Sequence, residues 1–169
     1  MAWMVDRGEV FMTKVRKATV GDYSGIKNVA SKAWYDTYTN IYTASTVTAF
    51  LNASYSKEMI EKRINDSDFY VAEEDGKIIG FANFIKGTEL YLSSHYVLPE
   101  AQRDGYGKAL LYKGLNSYKG EYHEVYLEVD GKNDIGIAFY KKEGFEVVRE
   151  YEELLFGETM HTTLMKKTF

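Results

Sequence analysis

Cysteine is absent from the 169 residues, which excludes disulfide staples, thiolate metal sites and a cysteine nucleophile. Proline occurs once, at Pro99, where a strand-like run stops. No apolar window approaches the length of a membrane span, and the start of the chain lacks the basic, apolar and small-residue order of a signal peptide. A cytoplasmic protein with no membrane partner is therefore expected. Positive charge is not in excess: 21 Lys and Arg stand against 25 Asp and Glu, a formal net charge of -4. That balance argues against a nucleic-acid surface and suits a cationic small substrate. No repeat, low-complexity tract or second domain is visible.

What is present is the composition of one globular domain, 45% hydrophobic and 27% charged. Fifteen tyrosines and nine phenylalanines are unusual, and they are dense between Trp34 and Tyr42. Residues 1–11 match nothing that follows, so they are set aside as an N-terminal extension, with a single domain over 12–169. Apolar periodicity predicts a strand over 15–18 and a helix opening near Asp22 with Ile26, Val29, Ala30 and Ala33 along one face. A linker over 34–43 leads to a helix over 46–51 and another from Lys57 with Met59, Ile60 and Ile64. Strands follow over 69–74, 77–85 and 89–97, the first two joined by a turn at Asp75-Gly76. A helix carrying Ala109, Leu110, Leu111 and Leu115 precedes a strand over 122–129. A helix over 134–142, closed by Gly144, precedes strands over 145–151 and 160–166. The fold class is α/β (α+β): a mixed, mainly antiparallel sheet of about seven strands with helices on both faces.

The most informative stretch is Tyr96-Val97-Leu98-Pro99-Glu100-Ala101-Gln102-Arg103-Asp104-Gly105-Tyr106-Gly107-Lys108. A strand ends, two glycines flank a tyrosine, and a helix begins. The first turn of a helix has N–H groups without intrahelical partners and carries partial positive charge, so such a junction is an anion seat. The same glycines also suit a plain strand-to-helix turn that needs unusual dihedrals. The order Val-x-Pro-x-x-Gln-Arg-x-Gly-x-Gly-Lys resembles the acyl-CoA loop of the GNAT family of N-acetyltransferases. The resemblance implies that Gln102, Arg103, Asp104, Gly105, Tyr106, Gly107 and Lys108 hold the pyrophosphate of acetyl-CoA, with no metal. It also implies a sheet splayed between its fourth and fifth strands, with His95, Tyr96 and Val97 along the cofactor arm and backbone N–H groups around Tyr96 and Val97 as oxyanion donors.

Downstream, Asn133, Phe139, Tyr140 and Gly144-Phe145 are similar to a second motif of that family, Asn-x-x-Ala/Gly-x-x-Phe-Tyr-x-x-x-Gly-Phe. On the residues alone, Asn133 reads as a helix cap and Tyr140 as a half-buried aromatic. The resemblance implies that Tyr140 is the general acid for the departing thiolate and that Asn133, Phe139 and Lys142 contact the cofactor. The general base is left open among Glu89, His95, Glu128 and Asp130. His95 stands where the family commonly has an aliphatic residue.

On the acceptor side, Trp34, Tyr35, Asp36 and Tyr38 suit an alkylammonium held by cation–π contact and ion pairing, and suit equally a packed loop with no ligand. Glu89 and Glu128 are added to this substrate-binding set. Residues 33–57 are similar to the PaiA-type spermidine and spermine acetyltransferases within the family, which implies acetyl transfer to a small polyamine by direct attack in a ternary complex. Two other readings stay open: acetylation of a protein N-terminus or lysine, and a non-catalytic CoA-binding regulator. The resemblance also allows a homodimer. The acidic residues Glu150, Glu152, Glu153 and Glu158 read first as a solubilising surface.

Overall fold

A computed structural model describes residues 2–6 and 9–169, with side chains from position 14 onward. Its centre is a sheet of eight strands in the order β1-β2-β3-β4-β5-β6-β8-β7. The strands are β1 (Ala2–Asp6), β2 (Glu9–Lys17), β3 (Asp68–Glu74), β4 (Lys77–Lys86), β5 (Leu90–Val97), β6 (Glu124–Asp130), β7 (Glu146–Leu155) and β8 (Glu158–Thr168). All neighbours are antiparallel except β5 and β6. Five helices pack around it: α1 (Tyr23–Tyr38), α2 (Ala44–Ser54), α3 (Lys57–Asp66), α4 (Tyr106–Ser117) and α5 (Asp134–Lys142). The mixed sheet with α-helical layers is as the periodicity predicts, and β2 to β8 supply the expected seven strands.

Three boundaries differ from the sequence reading. The first strand starts at Glu9 and not at position 15, because its backbone pairs with β1 before β3 takes over at Thr13. Positions 2–6 and 9–11, set aside above, thus lie in the sheet; the remaining positions of that segment are outside the described residues. Helix α1 runs on to Tyr38, since Ile26, Val29, Ala30, Ala33, Trp34 and Tyr38 form one unbroken buried stripe at helical spacing. Trp34, Tyr35, Asp36 and Tyr38 are therefore helical, and only residues 39–43 link α1 to α2. The last hairpin is longer than expected, because Phe156 and Gly157, at φ 47° and 87°, close a turn directly between β7 and β8.

Local chemistry sets the helix starts. Thr43 and Ser56 accept from the backbone N–H groups of Thr46 and Met59, capping α2 and α3. The guanidinium of Arg16 grips Asp22 at 2.8 and 2.9 Å and Glu73 at 3.1 Å, tying β2 and β3 to the turn before α1. This pairing holds the Asp22 carboxyl below its usual range.

The core lies on both sides of β4, in which seven successive residues are buried. Helix α4 reaches it at Gly114, where an added methyl carbon would stand 2.1 Å from Phe84. Only glycine allows that approach. Among the described residues no helix is long and apolar enough to cross a membrane.

Candidate active site

Two irregularities in β5 shape the centre of the sheet. The strand touches β6 only through Leu90 opposite Val125 and Tyr91 opposite Tyr126, after which the two diverge. Just beyond, Phe84 pairs with Leu92 and Asn83 with Ser94, so Ser93 is an inserted bulge residue. The expected opening between the fourth and fifth strands of the domain is this gap. Leu98 donates to Ile79 at 2.8 Å, so strand alternation turns the Tyr96 amide toward β4 and the amides of His95 and Val97 toward the gap. The sequence expectation is corrected accordingly: of Tyr96 and Val97, only Val97 aims its N–H into the opening. The Tyr96 ring lies instead 5.5 Å from Phe81 and 6.4 Å from Tyr55, on the α1 side of the sheet.

The glycine loop follows β5. Pro99 opens a single 3-10 turn, and Gln102 folds back to donate to the Val97 carbonyl at 3.3 Å. Arg103 at φ 72° and Gly105 at φ 87° are both left-handed, and Gly105 stands at the N-cap of α4. The first intrahelical bond runs from Ala109 to the Gly105 carbonyl at 3.0 Å. The amides of Gly107 and Lys108 precede it, in the turn that a helix cannot pair internally. Gln102, Arg103 and Lys108 are exposed around this end, Asp104 is half-buried, and Tyr106 is buried with its hydroxyl donating to Glu74. Gly107 meets no backbone need: an added methyl would make ordinary contacts with Phe139 at 3.5 Å and His95 at 3.8 Å. Exposed positive side chains, first-turn amides and the adjoining gap together fit a pyrophosphate-bearing thioester.

Helix α5 forms the other wall. Asn133 caps it by accepting from Gly136 at 3.0 Å, and its amide donates to the Tyr38 hydroxyl at 3.3 Å. Tyr140 lies in an aromatic nest with ring centres of Phe139 at 5.2 Å, Phe145 at 5.4 Å and His95 at 5.9 Å. The Tyr140 oxygen is 3.0 Å from His95 Nδ1, and His95 Nε2 is 2.8 Å from the Gly107 carbonyl. Burial pushes the Tyr140 phenol well above its usual range and lowers the His95 imidazole to about 4. Lys142 is exposed in the last turn of α5, apart from this group.

On the opposite side of the sheet, Trp34 is enclosed between Phe50, ring centres 3.8 Å apart, and Tyr38 at 4.2 Å. Tyr42 donates its hydroxyl to Asp130, whose other oxygen accepts from the Lys132 amide at 2.8 Å. Asp130 is 6% exposed at the end of β6, beside the Asn133 cap, so a buried carboxylate and the hydroxyls of Tyr38 and Tyr42 share one corner of the gap. Burial raises the Tyr38 phenol to about 12 and, with the Asp130 bond, holds Tyr42 protonated as well. Tyr35 and Asp36 face outward on α1, where Tyr35 meets Thr48 at 2.7 Å, and nothing joins them to this corner among the described residues. Glu128 borders an open hollow of about 280 Å³ with Ile85, Tyr91, Leu92 and Ser93. Glu89 is exposed in the turn before β5. The Tyr42–Asp130 pair spans 88 positions and had no sequence signal beyond the aspartate's place at a strand end.

A sheet parted between two parallel strands, with an open helix terminus at one mouth and a phenol-bearing helix along it, defines an acyl-CoA-dependent acyltransferase. The model of the acetyltransferase (GNAT) family matches residues 31–145, and the chain belongs to that family. It is thus an acetyl-CoA-dependent N-acetyltransferase. The spermidine N(1)-acetyltransferase of Thermoplasma acidophilum is 30% identical over 142 residues, covering 79% of this chain and 88% of that one. The peptidyl-lysine N-acetyltransferase YiaC of Escherichia coli is 35% identical over 104 residues, 59% of this chain and 66% of its own. The crystal structure of the PaiA N-acetyltransferase from Thermoplasma acidophilum, a complex with coenzyme A, superposes with a TM-score of 0.84 at 27% identity, covering 94% of this chain and 99% of that one.

Proposed function

We propose that the domain over 12–169 transfers acetyl from acetyl-CoA to a primary amine of a small polyamine, by direct attack within a ternary complex. The observation that carries this reading is the buried Asp130 carboxylate, roofed by Tyr42 and flanked by Tyr38 at the gap. An anionic, aromatic corner of this kind attracts an alkylammonium by charge and by ring quadrupole. The spermidine acetyltransferase of Thermoplasma acidophilum, similar over most of both chains, supports the same choice.

The placement of the residues supports the following roles. Gln102, Arg103, Lys108 and the first amides of α4 bind the pyrophosphate, and the amides of Val97 and His95 face the position where the carbonyl oxygen gains charge. Two preorganised donors there contribute several kcal/mol, on the order of 3 to 4. Tyr140 stays protonated at neutral pH, and because burial makes its phenol a weaker acid its proton passes to the sulfur late, hydrogen-bonding the thiolate as the carbon–sulfur bond breaks while the proton leaving the new amide replaces it on the phenol. We assign the proton acceptor for the amine to Asp130 or Glu128, a reading supported by the buried Asp130 beside Tyr42 and by Glu128 at the open hollow.

Purified protein is given acetyl-CoA with spermidine, spermine, N-terminal peptides or lysine peptides, and released thiol is measured. Fast turnover of the polyamines alone is expected; turnover of peptides with inert polyamines overturns the assignment and favours the lysine or N-terminal reading. Tight acetyl-CoA binding with no transfer to any amine favours a non-catalytic regulator.

A further inference from the structure

His95 uses both ring nitrogens. A carbonyl oxygen only accepts, so the 2.8 Å contact between Nε2 and the Gly107 carbonyl places the imidazole proton on Nε2. Nδ1 is then a bare acceptor, and the Tyr140 hydroxyl at 3.0 Å must donate to it. A cationic ring would carry a second proton on Nδ1 and reverse that bond, but burial keeps the ring neutral down to about pH 4. The chain of bonds thus has one direction, from phenol to imidazole to the first turn of α4. The edge of Phe139 closes one side of the ring at a centroid distance of 5.8 Å.

We infer that His95 is a positioning residue: it fixes the rotor of the Tyr140 hydroxyl and ties that hydroxyl to the backbone of the pyrophosphate-binding helix. The inference rests on Tyr140 as the general acid. A phenol free to rotate has its proton near the sulfur only part of the time, whereas this one starts from a single orientation on a rigid wall. When the carbon–sulfur bond breaks, the electron pair goes to sulfur and the anion outcompetes a neutral imidazole as acceptor. The Tyr140 proton then swings from Nδ1 to the thiolate. His95 supplies no proton in this step, because its own is held by Gly107. The proton released as the amide forms restores the phenol.

Two substitutions separate the halves of the bridge. His95→Gln keeps a donor for the Gly107 carbonyl and withdraws the acceptor from Tyr140; His95→Asn keeps an acceptor near the Nδ1 position and withdraws the donor. With a saturating amine acceptor, H95Q is expected to lower kcat about tenfold or more with KM for acetyl-CoA within about twofold, while H95N, which keeps the acceptor but loses the tie to Gly107, lowers kcat by a smaller factor, about three- to fivefold. In a Tyr140→Phe background, already slowed by about a hundredfold, H95Q should lower kcat no further. An equal loss from H95Q in both backgrounds shows a merely structural role and overturns the inference. Unchanged kcat in Tyr140→Phe alone overturns the acid reading and the inference with it. Should the variants fail to fold, nitrogen-15 NMR of the unmodified protein decides: an Nε2-protonated His95 is expected, and an Nδ1-protonated ring refutes the bridge.

Discussion

The two glycines of the cofactor loop look interchangeable in the sequence, and the structure predicts opposite consequences of changing them to alanine. Gly105 has φ 87°, a left-handed conformation that costs an L residue about 1–2 kcal/mol. Alanine there can relax only by turning the loop out of the geometry that aims its amides. The strain is therefore divided: the part the free loop keeps lowers stability, and the part it sheds must be restored on binding, which at about 1.4 kcal/mol per tenfold lowers acetyl-CoA affinity by up to about tenfold. Gly107 is an ordinary helical residue, and its added methyl would rest against Phe139 at 3.5 and 3.6 Å and His95 at 3.8 Å, within van der Waals range. Gly107→Ala removes the helix penalty of glycine, about 0.5–1 kcal/mol. A domain of this size should gain about 2–3 °C in Tm from it. Thermal melts without ligand and calorimetric titration with acetyl-CoA measure both terms. Gly107→Ala should melt higher with affinity kept within about threefold, and Gly105→Ala should melt lower and bind less tightly. Equal losses of stability and affinity in the two variants would refute the reasoning.

Gly114→Ala places a methyl carbon 2.1 Å from Phe84, a fully buried ring, and should lower unfolding stability by about 1–3 kcal/mol or more; an unmoved denaturant midpoint sinks that account. His95 titrates at about 4 in the native state against 6.5 unfolded, so the unfolded chain binds the extra proton between these values and stability falls as pH drops from 6.5 toward 4. The loss from this residue is at most about 3 kcal/mol, and His95→Gln should flatten the stability profile across that window. Asp130→Asn leaves Tyr42 an acceptor but removes the buried charge, so KM for a polyamine should rise about tenfold with acetyl-CoA affinity kept; an unaltered KM removes Asp130 from the acceptor site.

Much of the fold was legible because its signals are local. The hairpin at Asp75-Gly76, the capped start of α5 at Asn133 and the stripe of α4 through Leu110, Leu111 and Leu115 each depend on neighbouring residues, and each lies where the pattern put it. The misread stretch, 34–43, failed for a physical reason. Its tyrosines suggested a ligand loop, but Trp34 and Tyr38 continue the buried face of α1, and only Tyr42 lies beyond the helix. Aromatic density alone does not distinguish a helix face from a binding loop. Asp130 was visible as a carboxylate at a strand end, yet its partner Tyr42 lies 88 positions away in the chain.

The placement of His95 shows why the site was less legible than the fold. Without the insertion at Ser93, strict alternation along β5 would put His95 on the same face as Tyr91, whose ring packs on Tyr126 at 5.7 Å on the acceptor side. The bulge advances the strand by one residue, so every later side chain changes face. Ser94 and Tyr96 take the acceptor side, toward Tyr55, and His95 turns toward α4 and α5, within reach of Gly107 and Tyr140. The same step occurs just past the last pair joining β5 to β6, so the strand that opens the sheet also carries the imidazole across to the cofactor wall. A sequence pattern of period two has no mark for which residue of a run such as Leu92-Ser93-Ser94 is the inserted one. The histidine's role therefore depends on a single unpaired position two residues before it.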